Sequence, residues 1–141
     1  MADDVTQTPG VRLLCPTRWT VRAEALHSIL SNYSYLQELW DWSLDNSSDT
    51  EMKARIRGVS IHMQSFEFYF GLHLGEILLS QADNLSRCLQ SKDLSAAEGQ
   101  AVAATTVNSL QDQRNDDKFN KFWVKVCSNA DNEEVDTPSL P

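Results

Sequence analysis

Glu51-Met52-Lys53-Ala54-Arg55-Ile56-Arg57-Gly58-Val59-Ser60-Ile61-His62-Met63-Gln64-Ser65-Phe66-Glu67-Phe68-Tyr69-Phe70 is the stretch whose reading decides the fold. Met52, Ile56, Val59, Met63, Phe66 and Phe70 recur at steps of three and four, the spacing that lines one face of an α-helix. Ser48 and Glu51 have the spacing of a capping box, so a helix is expected to open there. The pattern continues through Leu74, Ile77 and Leu78 toward Leu85 and Leu89, the longest helical pattern in the chain. Gly58, Gly71 and Gly75 weaken it and mark expected kinks or close helix contacts. Strict apolar/polar alternation is confined to Phe66-Glu67-Phe68 and to Trp123 through Val126, too little for a sheet.

Working outward, the same periodicity fills most of the chain. A first helix is expected to start near Thr17–Thr20, after Pro16, with Val21, Ala25, Leu26, Ile29 and Leu30 as its apolar stripe. Ser34 with Gln37 has capping-box spacing for a second helix that carries Leu36, Leu39, Trp40 and Leu44. Ser95 with Glu98 repeats that signature ahead of Ala101, Val102, Thr105, Val107 and Leu110. Asn115-Asp116-Asp117 breaks this helix, and a last one is expected over Lys118 to Cys127. The fold class is therefore all-α: an irregular helical bundle of five or six helices with a long central helix. Residues 1–10 read as a disordered lead-in, 11–128 as the helical domain, and 129–141 as an acidic disordered tail.

Composition narrows the function classes. The 141 residues include 12 basic and 20 acidic side chains, a formal charge of −8. That balance opposes a broad polyphosphate footprint. Local phosphate contact is still allowed, because residues 11–22 hold Arg12, Arg18 and Arg22 with no acid, and Arg55 and Arg57 form a second small basic spot. Cys15, Cys88 and Cys127 are odd in number and far apart, which predicts reduced thiols, not a disulfide framework or a zinc site. There is no secretory signal pattern, and Phe66 to Leu79 is interrupted by Glu67, His73 and Glu76, short of a membrane span. A nuclear or cytoplasmic protein, not a secreted one, is expected.

Catalytic constellations are thin. Phosphate-loop and HExxH motifs do not occur. His62 and His73 lie three helical turns apart, with Glu76 after them, but a half-exposed histidine beside a core accounts for each better than metal ligation. Cys15 and His27 have no spacing that makes them a nucleophile and base. Most acids fall at helix starts (Asp49, Glu51, Glu98) or in loops (Asp45, Asp116, Asp117), where capping and dipole effects favour them. No cofactor, metal, membrane partner or small-molecule substrate is expected, and no self-sufficient enzyme. The run containing Phe66, Phe68, Tyr69 and Phe70 covers more than one side of a helix. It reads first as core and second as a protein interface. Cys15-Pro16-Thr17-Arg18-Trp19 sits where extended chain turns into helix. There an Arg and helix N–H groups can hold a phosphate while the indole stacks on a base, or the Trp simply plugs the bundle end.

Thr17-Arg18-Trp19 resembles the Thr-Arg-Trp motif of hAT-superfamily DNA transposases, and most closely their vertebrate domesticated and zinc-finger MYM-type-like relatives. Leu14-Cys15-Pro16-Thr17-Arg18-Trp19-Thr20-Val21-Arg22 is similar to the same entry segment. Glu51-Met52-Lys53-Ala54-Arg55, Gln64-Ser65-Phe66-Glu67-Phe68 and Asp83-Asn84-Leu85-Ser86 are similar to the helices that follow it. The likeness covers most of residues 11 to 125. It implies the helical domain that these transposases insert into an RNase H-like core whose three catalytic acids lie outside the insertion. By that resemblance Trp19 would stack near a DNA end, Arg18 would contact its backbone, and Thr17 completes the motif. The expected function is a catalytically inactive, transposase-derived helical module with weak DNA-end contact. The alternatives are a module that joins a protein partner or a second copy of itself through Phe66, Phe68, Tyr69 and Phe70, or a remnant without function.

Overall fold

The computed structural model describes residues 19–138, and their side chains from residue 22 onward. The lead-in, Cys15, Thr17 and Arg18 lie outside the described residues. Six helices follow in order: α1 (Trp19–Ser31), α2 (Tyr33–Asn46), α3 (Thr50–Gln64), α4 (Phe66–Leu89), α5 (Ala96–Asp112) and α6 (Asp116–Asn132). There is no strand among the described residues. α4, 24 residues long, is the axis of the bundle. It packs against α1 most extensively and also against α3, α5 and α6, while α2 rests on α3 and α1.

The long periodic pattern is two helices. Ser65 is extended (φ −78°, ψ 134°), and its hydroxyl accepts the Phe68 N–H, so it caps α4 as α3 ends. A helix end leaves carbonyls without intrahelical donors. Here two distant groups supply them: the Tyr33 hydroxyl donates to the Met63 carbonyl at 2.5 Å, and the Asp136 N–H donates to the Gln64 carbonyl at 3.1 Å. The expected glycine kinks are not where the pattern bends. Gly58 and Gly71 have open space around them. A Cβ on Gly75 would stand 3.0 Å from Leu26 Cδ1, so that glycine lets α1 lie close to α4.

The caps correct the expected helix starts in two places and match one. Asn32, not Ser34, precedes α2, and its amide donates to the Ser28 carbonyl, while the Ser34 hydroxyl is taken by Glu133. Asp49, not Ser48, caps α3, its carboxylate accepting from Glu51 and Met52 N–H, and its charge is favoured at the positive end of the helix dipole. Ser95 and Glu98 form the full reciprocal capping box of α5.

The acidic tail also starts later than expected. α6 runs from Asp116, capped by Asn115, through to Asn132, and buries Val126 and Ala130 one turn apart. Glu134 then adopts a left-handed conformation (φ 54°), and the Val135 N–H donates back to the Ala130 carbonyl. This is a Schellman-type stop, and its usual apolar contact is present because Val135 and Ala130 share the core. Three acids of this segment, Asp131, Glu134 and Asp136, stay exposed, and the half-buried Glu133 accepts from the Ser34 hydroxyl. Charge alone therefore misled the boundary, because the inward positions remain apolar.

The core itself joins Tyr33, Met63, Phe66, Tyr69, Leu72, Val126, Ala130 and Val135. Aromatic rings contribute edge contacts of the kind worth more than their area alone: Tyr33 with Tyr69 at 4.8 Å, Phe66 with Trp123 at 5.2 Å and Phe70 with Phe122 at 5.3 Å between centroids. α5 buries no residue fully and packs on α4 alone among the helices, the loosest element of the bundle.

Candidate functional site

Of the motif residues, only Trp19 enters the described chain, as the first residue of α1. The aromatic run on α4 resolves mainly as core. Tyr69 is 3 % exposed, Phe66 is buried and Phe70 is half-buried, whereas Phe68 alone is open to solvent at 39 %. The first reading, core, therefore holds for Phe66 and Tyr69, and the alternative, an exposed face of four aromatics, does not form. Helical geometry sends Phe66, Tyr69 and Phe70 toward α6 and α2, and only the side opposite Phe70 is left outward. His62 and His73 fall on different helices, and Glu76 pairs with neither, since its carboxylate lies 2.7 Å from His27 Nδ1. No cluster of three metal-ligating side chains exists among the described residues.

Three surface features remain, and each has its own chemistry. The first is a groove of about 300 Å³ along the α1–α4 seam, which begins one turn beyond Trp19. Ala23, Glu24, His27 and Ser28 form one wall, and Glu76, Ser80, Asp83, Asn84 and Arg87 form the other. The i, i+4, i+7 spacing on α4 explains why these polar groups share a face. Two cross-helix pairs bracket it, His27 with Glu76 and Arg87 with Glu24 at 3.5 Å. Between them Asp83, 5 % exposed, accepts from Arg87 through Oδ2 at 2.7 Å, and its Oδ1 is buried with no hydrogen-bond partner among the described residues.

The second feature is basic. Lys118, Lys121 and Lys125 recur at i, i+3 and i+7 on α6 and line one groove of about 310 Å³ together with His73 and Gln113. Lys118 also reaches the Asp112 carboxylate across the α5–α6 turn. Burial pushes His73 below the ordinary imidazole range, with Glu76 and Glu133 opposing that shift and Lys125 adding to it. Its ring stands edge-on to Tyr69 at 4.7 Å, and its Nε2 is buried without a hydrogen-bond partner among the described residues. Burial, with the Glu133 carboxylate adding to it, pushes the Tyr69 hydroxyl up to about 12, so it stays a neutral donor group.

The third feature is apolar. Tyr35 and Trp42 are 62 % and 63 % exposed, and Leu39 lies between them at i, i+4, i+7 spacing on the outer side of α2. Glu38, Asp41 and Asp45 run along one flank, and α2 carries no Lys or Arg. The helical spacing was visible in the sequence, but which side of α2 faces inward was not. Leu36 and Trp40 pack on the core, with the Trp40 indole donating to Met63 Sδ at 3.1 Å.

Comparison with protein-family models, with curated proteins and with solved structures finds no match. No helix among the described residues is long and apolar enough to cross a membrane.

Proposed function

We propose that this chain is a non-catalytic, transposase-derived helical module that helps to hold a DNA end. The observation that carries the reading is the lysine face of α6: three cations share one groove in a chain whose overall charge is −8. Clustered lysines at one helix face contact phosphates as point charges, and they need no positive net charge to do so locally. The resemblance supplies the complementary contact, in which Arg18 grips the backbone and Trp19 stacks on an unpaired base at the start of α1. Phosphate contacts of this kind position DNA without reading its sequence, so preference for an end or flap would come from Trp19.

The test is binding of hairpin and flapped DNA by fluorescence anisotropy across a salt series. Lys121→Glu/Lys125→Glu should weaken both ligands and lower the salt slope by about 0.9 for each phosphate that is no longer neutralised. Arg18→Ala/Trp19→Ala should remove the preference for flapped over fully paired ends. Wild-type chain that binds neither ligand at low salt refutes the proposal.

A second reading, a protein-interaction module, is favoured by one observation: the Tyr35, Leu39 and Trp42 stripe stands outside the core. On this reading the interface would lie on α2 and not on Phe66, Phe68, Tyr69 and Phe70, the alternative that the sequence offered. Light scattering and pull-down with Trp42→Ala would separate the two readings, since that change should leave DNA binding intact.

A further inference from the structure

Asp83 is the most deeply placed acid among the described residues, and half of its hydrogen-bonding capacity is unused. A carboxylate oxygen shut away from water without a donor is unfavourable, the more so when the group is charged. Native proteins keep such a group when something else satisfies it. Arg87 takes Oδ2 only, and its side chain is itself 58 % exposed and free to swing outward. Glu24 and Glu76 stand on the groove rims beside Asp83, with Arg87 reaching Glu24 and His27 reaching Glu76. Ser80 and Asn84 add side-chain oxygens one turn apart on the same face.

We infer that the α1–α4 groove is a binding site for a guanidinium group carried on an alkyl stem, with the Asp83 carboxylate as its buried acceptor once Arg87 leans away. A guanidinium fits this slot better than an ammonium ion. It is the more weakly hydrated cation and enters a half-enclosed groove at less desolvation cost, and its planar fork delivers several N–H groups to acceptors set at different heights. Here those are Asp83 at the floor and Glu76, Ser80 and Asn84 along the wall. Ala23 leaves room for the alkyl stem. Arg87 acts as an internal competitor that must lean away from Asp83 as the ligand enters. The proposal is independent of DNA binding, because none of these residues belongs to the lysine groove except the shared rim residue Glu76.

Two sources offer this chemistry, a free guanidinium metabolite or the arginine side chain of a peptide. Two-dimensional amide NMR of the full chain, titrated with n-butylguanidine and separately with an acetylated, amidated Gly-Arg-Gly peptide, distinguishes them. Saturable shifts confined to residues 23–28 and 76–87 are expected with the preferred source, and n-butylammonium should bind more weakly than either. Asp83→Asn should weaken binding by about tenfold or more, the loss of one charge-assisted hydrogen bond. Arg87→Gln should strengthen it, because the competitor is gone; a purely structural Asp83–Arg87 pair predicts no binding in either protein. Arg87→Gln keeps the proposal testable if Asp83→Asn does not fold. Shifts that do not saturate, that spread over all acidic faces, or that persist unchanged in Asp83→Asn overturn it.

Discussion

The chain uses aromatic residues in two opposite ways. On α4 and α6, Phe66, Tyr69, Phe122 and Trp123 interlock across helices and hold the bundle together. On α2, Tyr35 and Trp42 stand in solvent beside three acids. The two groups are similar in composition and periodicity, so neither hydrophobicity nor helical spacing separates them. What does is the number of elements that pass nearby. α4 packs against four helices, whereas α2 meets only α3 and α1 among the described helices. Burial here is a property of position in the bundle, and the energetic meaning of an aromatic follows from it.

That contrast can be broken by mutation, most strongly at its buried end. Tyr69→Ala removes the ring that touches both Tyr33 and His73 and should destabilise the fold by about 4 kcal/mol in urea unfolding. Tyr33→Phe keeps the ring but strips the donor from the Met63 carbonyl. It should cost about 1.5 kcal/mol by the same measurement, the loss of one buried hydrogen bond. Glu134→Gly works in the other direction: a left-handed residue with a Cβ is strained, and glycine there should raise stability by about 1 kcal/mol.

The next test uses pH. His73 is held below its ordinary value of 6.5, so the folded state refuses a proton that the unfolded chain accepts. Its contribution to stability is present above that value and is lost as pH falls through the lower folded-state value. Unfolding midpoints measured from neutral pH downward should decline, and His73→Gln should flatten the slope. The smallest effect belongs to the exposed end of the comparison. Trp42→Ala should change stability by no more than about 0.5 kcal/mol while abolishing any partner binding through α2. A large drop in stability there would mean that α2 is covered after all.

How much of this the sequence disclosed varies by feature. The helices were legible because apolar residues keep a 3.6-residue period nearly everywhere. The Ser65 break was not, since Met63 and Phe66 maintain a step of three across it. Phe68 also occupies the place where a capping box would show Glu or Gln. The end of α6 was hidden behind its acids, although Val126 and Ala130 already had the spacing of an inner stripe. Within the grooves, the Asp83–Arg87 and Lys118–Lys121–Lys125 spacings can be read from the chain. The His27–Glu76 pair spans 49 positions, and nothing local announces it. Sequence periodicity reports which residues share a face, and only the packed bundle reports what that face meets.

The joint at Ser65 bears on how the protein is made. Its two orphan carbonyls are satisfied by Tyr33, near the beginning of the bundle, and by the backbone of residue 136, just past its last helix. Synthesis delivers these donors in that order, with α3, α4, α5 and α6 in between. While a ribosome is still extending the chain, the α3–α4 corner waits with one carbonyl unpaired and with Phe66 lacking Trp123 as its cover. The α3–α4 corner thus depends on contacts from both ends of the described helices, and the last of them in chain order comes from the turn after α6.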